Sequence, residues 1–260
     1  MKANHAQAYD ALARYYDAFT KNMDYEKRVE YLCTLLSRSG MPPNGLVLDL
    51  ACGSGVYSFA LLERGYDVVG VDASIEMLGV ALEKAEQRQI APPLLLCQRL
   101  EELDLYGTAQ GAICLTDSIN HLTEGAQLLK FFKRLALFLE PGAPFIFDCN
   151  TPYKHEKILA DNTFIYENET DDVFCAWRNT WLPQARCTEI QLDIFARISA
   201  DSGDAYARSS ECFRERAWQL RELEAALRKA DFTLEHCYGE LTQDLPAPNA
   251  ERVFMVARRN

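Results

Sequence analysis

What this chain of 260 residues lacks narrows its class before any motif is read. It has no dense run of Lys and Arg: 27 basic residues stand against 38 acidic ones, a net charge of −11, and the pairs Arg228-Lys229 and Arg258-Arg259 are too short to make a patch. A free-standing nucleic-acid binder carries a basic face, and an acidic surface repels a polyanion, so no nucleic-acid partner is expected. The nine cysteines include no closely spaced pair of the CxxC kind, which argues against a zinc or dithiol site, and no metal is expected. An odd, scattered set suits a reducing cytosol. Cys97, Cys114 and Cys149 fall in apolar runs, where a thiol acts as a small hydrophobe. No apolar run approaches about 18 residues and the polar N-terminus lacks the pattern of a signal peptide, so the expectation is a cytoplasmic protein without a membrane span. Internal repeats and low-complexity segments are missing too.

What is present is a large apolar fraction, 48%, enough for a substantial core, and one stretch that organises the rest. Leu46-Val47-Leu48-Asp49-Leu50 is an apolar run ending around an acid. Ala51-Cys52-Gly53-Ser54-Gly55 follows as a tight glycine loop, and helix-like sequence begins at Val56. That order, strand, loop, helix, opens a nucleotide-binding α/β fold. The next apolar run, Val68-Val69-Gly70-Val71, ends in a second acid, Asp72.

The rhythm continues. Two amphipathic helices come first, over 4–20 (Tyr9, Leu12, Ala13, Tyr16 and Phe19 on one face) and through Tyr25, Val29, Leu32 and Leu36. The breaker segment 39–45 stops the second. Strands are predicted at 46–50, 67–71, 94–97, 111–115 and 144–148, and helices at 56–65, from Ser74 to about Gln89, and at 124–139. Such alternation implies a parallel sheet covered on both faces. From about 163 to 216 the texture turns to antiparallel β. In 188–198, Thr188, Ile190, Leu192, Ile194, Ala196 and Ile198 share one face. Glu189, Gln191, Asp193 and Arg197 share the other, with Phe195 the exception. Phe174–Trp181 and Tyr206–Arg216 are the expected partner strands. A helix at 219–230 and strands at 232–239 and 252–258 close the chain.

Two acids beside two glycines suit a ligand that carries an amine and a ribose but no pyrophosphate. A dinucleotide loop wants G-x-G-x-x-G with no acid ahead of it; here Ser58 holds the third glycine position and Asp49 precedes the loop. Asp49-Leu50-Ala51-Cys52-Gly53-Ser54-Gly55 and Val69-Gly70-Val71-Asp72-Ala73-Ser74-Ile75-Glu76-Met77-Leu78 resemble the first two motifs of class I S-adenosylmethionine-dependent methyltransferases. The likeness extends through Leu94–Leu105, Ala112–Leu122 and Leu137–Gly142. The leader, with Tyr9-Asp10 and Tyr15-Tyr16-Asp17, resembles that of many bacterial small-molecule members. The resemblance implies a doubly wound, mostly parallel seven-stranded Rossmann-like sheet with a small antiparallel insertion after strand five. It also implies S-adenosyl-L-methionine as cofactor, with S-adenosyl-L-homocysteine as product. The expected domains are a cofactor-binding core over 1–150 and 217–260 and a β lid over 151–216.

Carried over by residue, the resemblance implies that Asp49 lies near the cofactor's amine, beside Ala51, Gly53, Ser54 and Gly55. Asp72 takes the ribose hydroxyls, and Ala73 and Met77 line the adenine slot. Gln98, Arg99 and Leu100 follow strand three, where the family commonly has an acid for the adenine amino group. Arg99 occupies that acid's position and cannot accept a hydrogen bond, so a backbone carbonyl or Gln98 accepts instead, or Arg99 stacks. Leu115 and Thr116 are expected near the sulfonium, and Tyr16 closes the pocket.

Methyl transfer from a sulfonium mainly needs alignment and exclusion of water, with a base where the acceptor must lose a proton. His121 is the candidate catalytic and substrate residue, ahead of His155. Tyr153, Glu211 and Arg216 are further substrate candidates; Phe213 stands where kin often have His. Trp177 and Trp181 could stack on a substrate or fill the small sheet's core. The strand-four end Thr116-Asp117-Ser118-Ile119 lacks the Asn/Asp-Pro-Pro-Tyr/Phe run of enzymes that methylate planar amino groups, against a DNA or protein-glutamine methylase. The reading is a methyltransferase acting on N or O of a small soluble molecule, of undefined oligomeric state. A non-catalytic binding or assembly module of the same fold and an NAD-dependent oxidoreductase are the competitors. Deletion of 163–216 is expected to spare cofactor affinity.

Overall fold

The computed structural model describes residues 12–20, 23–168, 172–198 and 205–260. The expected helix over 4–20 therefore lies partly outside the described residues; within them, a short helix α1 spans Tyr16–Phe19. Helix α2, Tyr25–Arg38, follows, capped by Asp24 accepting from the Lys27 amide at 3.2 Å. It buries Val29, Leu32, Leu35 and Leu36, the i, i+3, i+6, i+7 stripe of an amphipathic helix.

The main sheet is built from β1 (Leu46–Leu50), β2 (Asp67–Asp72), β3 (Leu94–Cys97), β4 (Gly111–Cys114), β5 (Pro144–Asn150), β10 (Phe232–Gly239) and β11 (Arg252–Arg259). Helices α3 (Val56–Glu63), α4 (Ile75–Arg88), α5 (Gly125–Leu137) and α6 (Leu220–Lys229) connect them. The order is β10-β11-β5-β4-β1-β2-β3, a seven-stranded sheet in which only β11 runs against its neighbours. Chain order runs outward from β1 to β3, then jumps back to β4 on β1's other side. That reversal opens a crevice past the carboxyl ends of β1 and β4, the place where open α/β sheets take ligands.

Phe131, Phe132, Phe145, Phe147 and Phe232 pack between α5, β5 and β10, with Phe145 and Phe147 stacked at 4.9 Å. Burial of rings this size dominates a core's stability. Among the described residues no helix is long and apolar enough to cross a membrane. All nine cysteine thiols are unpaired; Cys114 and Cys149 are buried, whereas Cys97 is exposed because β3 is an edge strand.

The second sheet is antiparallel, with order β6 (Thr163–Asn168), β7 (Val173–Leu182), β8 (Cys187–Arg197) and β9 (Tyr206–Arg216). It packs on the leader residues through Leu12, Tyr15, Tyr16 and Phe19. A wide helical turn at Lys154–Leu159, which the sequence pattern did not announce, joins β5 to it. Asp193, expected on the open face of β8, is buried instead. It takes Ser210 Oγ at 2.5 Å and the Arg208 guanidinium at 2.7 Å, and pairs with Arg178. Alternation cannot reveal a carboxylate that neighbouring strands cover with cations.

Candidate functional site

The crevice holds a cavity of ≈ 200 Å³ at the ends of β1, β2 and β4. Its first wall is the loop after β1. Gly53 and Gly55 are left-handed, at φ +54° and +78°, which glycine adopts without a Cβ clash. At Gly55 a Cβ would also stand 3.0 Å from the Phe59 ring and 3.3 Å from Ala81. Gly55 is the only expected cofactor residue that does not line the cavity. Its role is to let α3 start against α4. Ala51 adopts φ +56° without glycine's freedom.

Asp49 is buried and accepts from Ser58 Oγ at 2.5 Å. So the residue at the missing third glycine supplies a hydroxyl to the acid. Burial pushes the Asp49 carboxyl up to about 7, against the Ser58 hydrogen bond, with the negative charge of Asp72 adding to the rise. Asp72 accepts the Gly53 amide at 2.7 Å on one oxygen and the Ser74 amide at 2.8 Å on the other. The carboxylate thus ties the glycine loop to the start of α4, and its remaining lone pairs face the cavity. Ser74 Oγ caps α4 by accepting the Met77 amide at 3.2 Å.

Tyr16, Asp49, Ala51, Gly53, Ser54, Asp72, Ala73, Met77, Gln98, Arg99, Leu100, Leu115 and Thr116 all line this cavity. The turn after β3 explains Arg99. Its Nε and Nη2 pair with Glu101 Oε1 at 2.9 and 2.8 Å, and Glu101 lines the cavity. Sequence reading passed over Glu101, two residues beyond the usual acid; an i, i+2 Arg–Glu spacing on a turn was the signal. Gln98 is engaged at both ends of its amide by the backbone of Asp104, at 2.9 and 3.0 Å.

A second cavity, ≈ 260 Å³, adjoins the first, and Tyr16, Thr116 and Phe213 line both. Thr116 and Asp117 are both left-handed, at φ +57° and +53°, an unfavourable backbone for non-glycine residues that surroundings must hold in place. Arg252 does the holding. It donates to Asp117 at 2.6 Å and to Asp148 at 2.9 Å, and Asp148 accepts the Asp117 amide at 2.6 Å. Burial alone would raise the Asp117 carboxyl, but Arg252 and then Lys154 hold it at about 2. Burial pushes Asp148 up despite Arg252.

His121 lines the first cavity, its ring 5.2 Å from Phe213 and its Nε2 3.8 Å from Glu215 Oε1. Burial holds its imidazole below the ordinary value, against the pull of Asp117, and so favours the neutral form able to accept a proton. Glu215 is raised by burial and by the charge of Asp117, against Lys154 and Arg252. Ligand-type atoms of Asp117, His121 and Glu215 lie within 4.8 Å of one another. Arg252 already occupies Asp117, and Lys154 lines the same cavity, so the nearby positive charge opposes a divalent cation there.

Among the other substrate candidates, Tyr153, Glu211 and Arg216 line neither cavity. Glu211 accepts the Leu12 amide at 3.0 Å, tying the leader to β9. Arg216 donates to the Thr123 carbonyl at 2.9 Å and stacks over Trp218. Tyr153 heads the wide turn before β6. His155 is fully buried between Thr188 Oγ1 at 2.9 Å and Asn120 at 3.3 Å, and burial lowers it to about 4. That makes it a neutral bracket between the two sheets. Trp177 lines the second cavity, whereas Trp181 stacks on His155. β9 supplies Phe213 and Arg214 to the first cavity, so 163–216 forms part of that cavity's wall. Arg28, Lys154, Glu215, Glu240 and Arg252 carry no local sequence signal, because most sit among other charges of an ordinary surface pattern.

Residues 47–142 match the model of the Methyltransferase domain family. Over 253 residues the chain is 28% identical to YqeM of Bacillus subtilis (strain 168), a protein provisionally named as a methyltransferase, covering 97% of both chains. The fold superposes with a TM-score of 0.84 on an S-adenosylmethionine-dependent methyltransferase from Clostridium acetobutylicum ATCC 824, 26% identical over 97% of this chain and 99% of that one. It also superposes at 0.74 on the sugar N-methyltransferase KedS8 from Streptoalloteichus sp ATCC 53650, 22% identical over 94% and 93%, a likeness of fold.

Proposed function

Since residues 47–142 and the fold around them make this chain an S-adenosylmethionine-dependent methyltransferase of class I, we propose that it methylates an N or O atom of a small molecule seated in the second cavity. The observation that carries this reading is the continuity of the two cavities through Tyr16, Thr116 and Phe213. One cavity has the acids and glycines that suit the donor. The other has charged groups and aromatic walls that suit a small polar acceptor.

The residues present fit S-adenosylmethionine. Asp49, a carboxyl already poised near pH 7, meets the amine, and Asp72 offers lone pairs to the ribose hydroxyls. Ala73, Met77 and Leu100 give an apolar slot for adenine, with Glu101 at its edge in place of the usual acid. When bound, the cofactor supplies an activated methyl group. Transfer would leave the carbon–sulfur electrons on sulfur, so the chain's own residues need only align the acceptor and take up its proton. The acceptor's proton would go to a base, and His121, lining the first cavity and held toward its neutral form by burial, is the proposed one. The second sheet, with the leader, acts as the lid that excludes water. Isothermal titration with S-adenosylhomocysteine tests the donor half. Micromolar binding is expected, and no binding at millimolar ligand would refute it. Transfer of a labelled methyl group to a panel of small amines and hydroxyls then tests the acceptor half.

A further inference from the structure

The second cavity contains buried polar atoms with no partner among the described residues. Arg28 pairs through Nη2 with Glu240, yet its Nε and Nη1 make no hydrogen bond, in a side chain only 11% exposed. Glu215 Oε2 has none either, in a side chain 5% exposed. Both residues line this cavity. Buried donors and acceptors left unpaired are costly, and native proteins pair them with protein, water or ligand. Two donors of a cation in one place and an acid oxygen in another call for a ligand of matching polarity.

From this we propose that the methyl acceptor is a small zwitterion, an amine and a carboxylate carried on an aromatic or apolar body, with the carboxylate on Arg28 and the amine beside Glu215. The inference rests on the reading of the second cavity as the acceptor site. Three cations (Arg28, Lys154 and Arg252) face three carboxylates (Asp117, Glu215 and Glu240) around the cavity. Arg252 is spent on Asp117 and Asp148, and Lys154 donates to Asn150 Oδ1 at 3.1 Å. Lys154 keeps further N–H donors, but Arg28 is the cation whose Nε and Nη1 are buried with no hydrogen bond. A single carboxylate satisfies it, whereas a doubly charged phosphate would be set against three acids in a low-dielectric pocket. On the other side, Glu215 Oε2 receives an amine N–H, and His121 lies against the other oxygen of the same carboxyl. Phe19, Tyr166, Trp177, Leu192 and Phe213 wall the space between the polar groups, and rings of this kind select a flat or apolar body. The ammonium first gives a proton to Glu215 or His121, which frees the nitrogen's lone pair; on transfer the new nitrogen–carbon bond would form as the carbon–sulfur bond breaks, with sulfur keeping those electrons.

The experiment uses the full chain with labelled S-adenosylmethionine and matched probes. Phenylalanine and other apolar amino acids carry both groups, phenethylamine lacks the carboxylate, 3-phenylpropionate lacks the amine, and phosphoethanolamine carries phosphate instead. The zwitterions are expected to accept methyl at least tenfold better in kcat/KM than the amine alone, with the acid inert. Arg28→Gln is expected to raise KM for the zwitterions at least tenfold and erase their advantage over phenethylamine. Arg28→Lys is expected to restore part of it. S-adenosylhomocysteine affinity and melting temperature, measured on each variant, show that the donor half and the fold persist. Equal turnover of phenethylamine and phenylalanine, preference for phosphoethanolamine, inert zwitterions, or an Arg28→Gln variant with unchanged KM would each overturn the inference. The methyltransferase reading fails separately, through loss of S-adenosylhomocysteine binding to the parent protein.

Discussion

The two cavities are built by opposite means. The first cavity is assembled mostly from turns at the ends of β1, β2, β3 and β4, so its residues cluster at 49–57, 72–77, 98–101 and 115–122, with Tyr16, Tyr25, Phe213 and Arg214 added. The second cavity takes one or two residues each from α2, the β4 and β5 ends, the wide turn, β6 to β9, the β10 end and β11, and five from the leader. Backbone geometry therefore carries the first, through glycines, caps and amide contacts to Asp72. Long-range ion pairs carry the second, with Arg252 as the hub joining chain segments more than a hundred residues apart. A cavity built on backbone should tolerate loss of a side chain as a loss of affinity; one built on paired charges should suffer as a structure.

The largest expected effect breaks the acceptor side at its hub. Arg252→Met leaves Asp117 and Asp148 buried without their cation. Removing one partner of a buried pair costs about 3–5 kcal/mol, and chemical denaturation at pH 7.5 measures it. The sign with pH is defined. Asp117 is depressed to about 2 in the parent, so its stabilisation is present above its unfolded value, near 4, and fades as pH falls through the folded one. In the variant the orphaned carboxyls rise and take protons, so the deficit against the parent should shrink on acidification from pH 7.5 to 5. A loss below about 1 kcal/mol, or a deficit that grows in acid, would contradict Arg252's role as the hub.

On the donor side, Asp72→Ala should leave a folded protein with weakened cofactor binding. Hydrogen bonds to a charged group contribute about 1.5–3 kcal/mol, so the dissociation constant for S-adenosylhomocysteine should rise by roughly one to two orders of magnitude. Unchanged affinity would remove Asp72 from the site. The comparison sharpens further if this variant melts close to the parent while Arg252→Met does not.

The contrast also sets what could be read from the sequence. The strands β1–β5, β10 and β11 announced themselves by apolar runs and flanking turns, and most boundaries fell within two residues of the pattern. Thirteen of the fourteen donor-site candidates line the cavity, because each sits in a local strand–turn–helix motif whose geometry follows from spacing. Gly55 was in the motif for a packing reason that spacing cannot distinguish from a contact. The acceptor side was illegible in physical terms: Arg28 sits on a helix face, Glu215 in a strand of alternating charges, and Arg252 at a strand start. Nothing local marks them as buried. Their partners are fixed only when the second sheet and β11 close over the crevice. Glu211 and Arg216 line neither cavity: their alternation in β9 is real, but their side chains fasten the leader and reach α6.

A smaller effect distinguishes the two sides by proton traffic. Asp49 stands near 7 in the free protein because it is buried. A bound ammonium group favours its charged form and lowers that value. Binding of S-adenosylhomocysteine should therefore release a proton below about pH 7, weaken up to about tenfold per pH unit as the solution is made more acid, and become pH-independent above about pH 8. Titrations in two buffers of different ionisation enthalpy read the proton directly. Asp49→Asn should abolish the release. A proton count unaffected by that substitution would assign it to another group.

The smallest expected effect concerns the leader, which touches both cavities through Tyr16. Ser54 Oγ donates to Asp17 at 2.6 Å, and Lys84 pairs with Asp17 while donating to Ser54 Oγ at 2.8 Å and to the Ser54 carbonyl at 3.1 Å. The leader is thus fastened to the glycine loop itself. The Asp17 carboxylate is partly exposed, at 39%, and exposed pairs contribute about 0.2–1 kcal/mol. Asp17→Asn should hence lower global stability by no more than about 1 kcal/mol. Its effect should show instead in kinetics: a looser leader lets Tyr16 swing away, and S-adenosylhomocysteine dissociation should quicken by about two- to fivefold, measured by stopped-flow fluorescence, with the association rate little changed. If dissociation is unaltered, Tyr16 is held by its packing against the second sheet rather than by the glycine loop, and closure over the donor belongs to β9 alone.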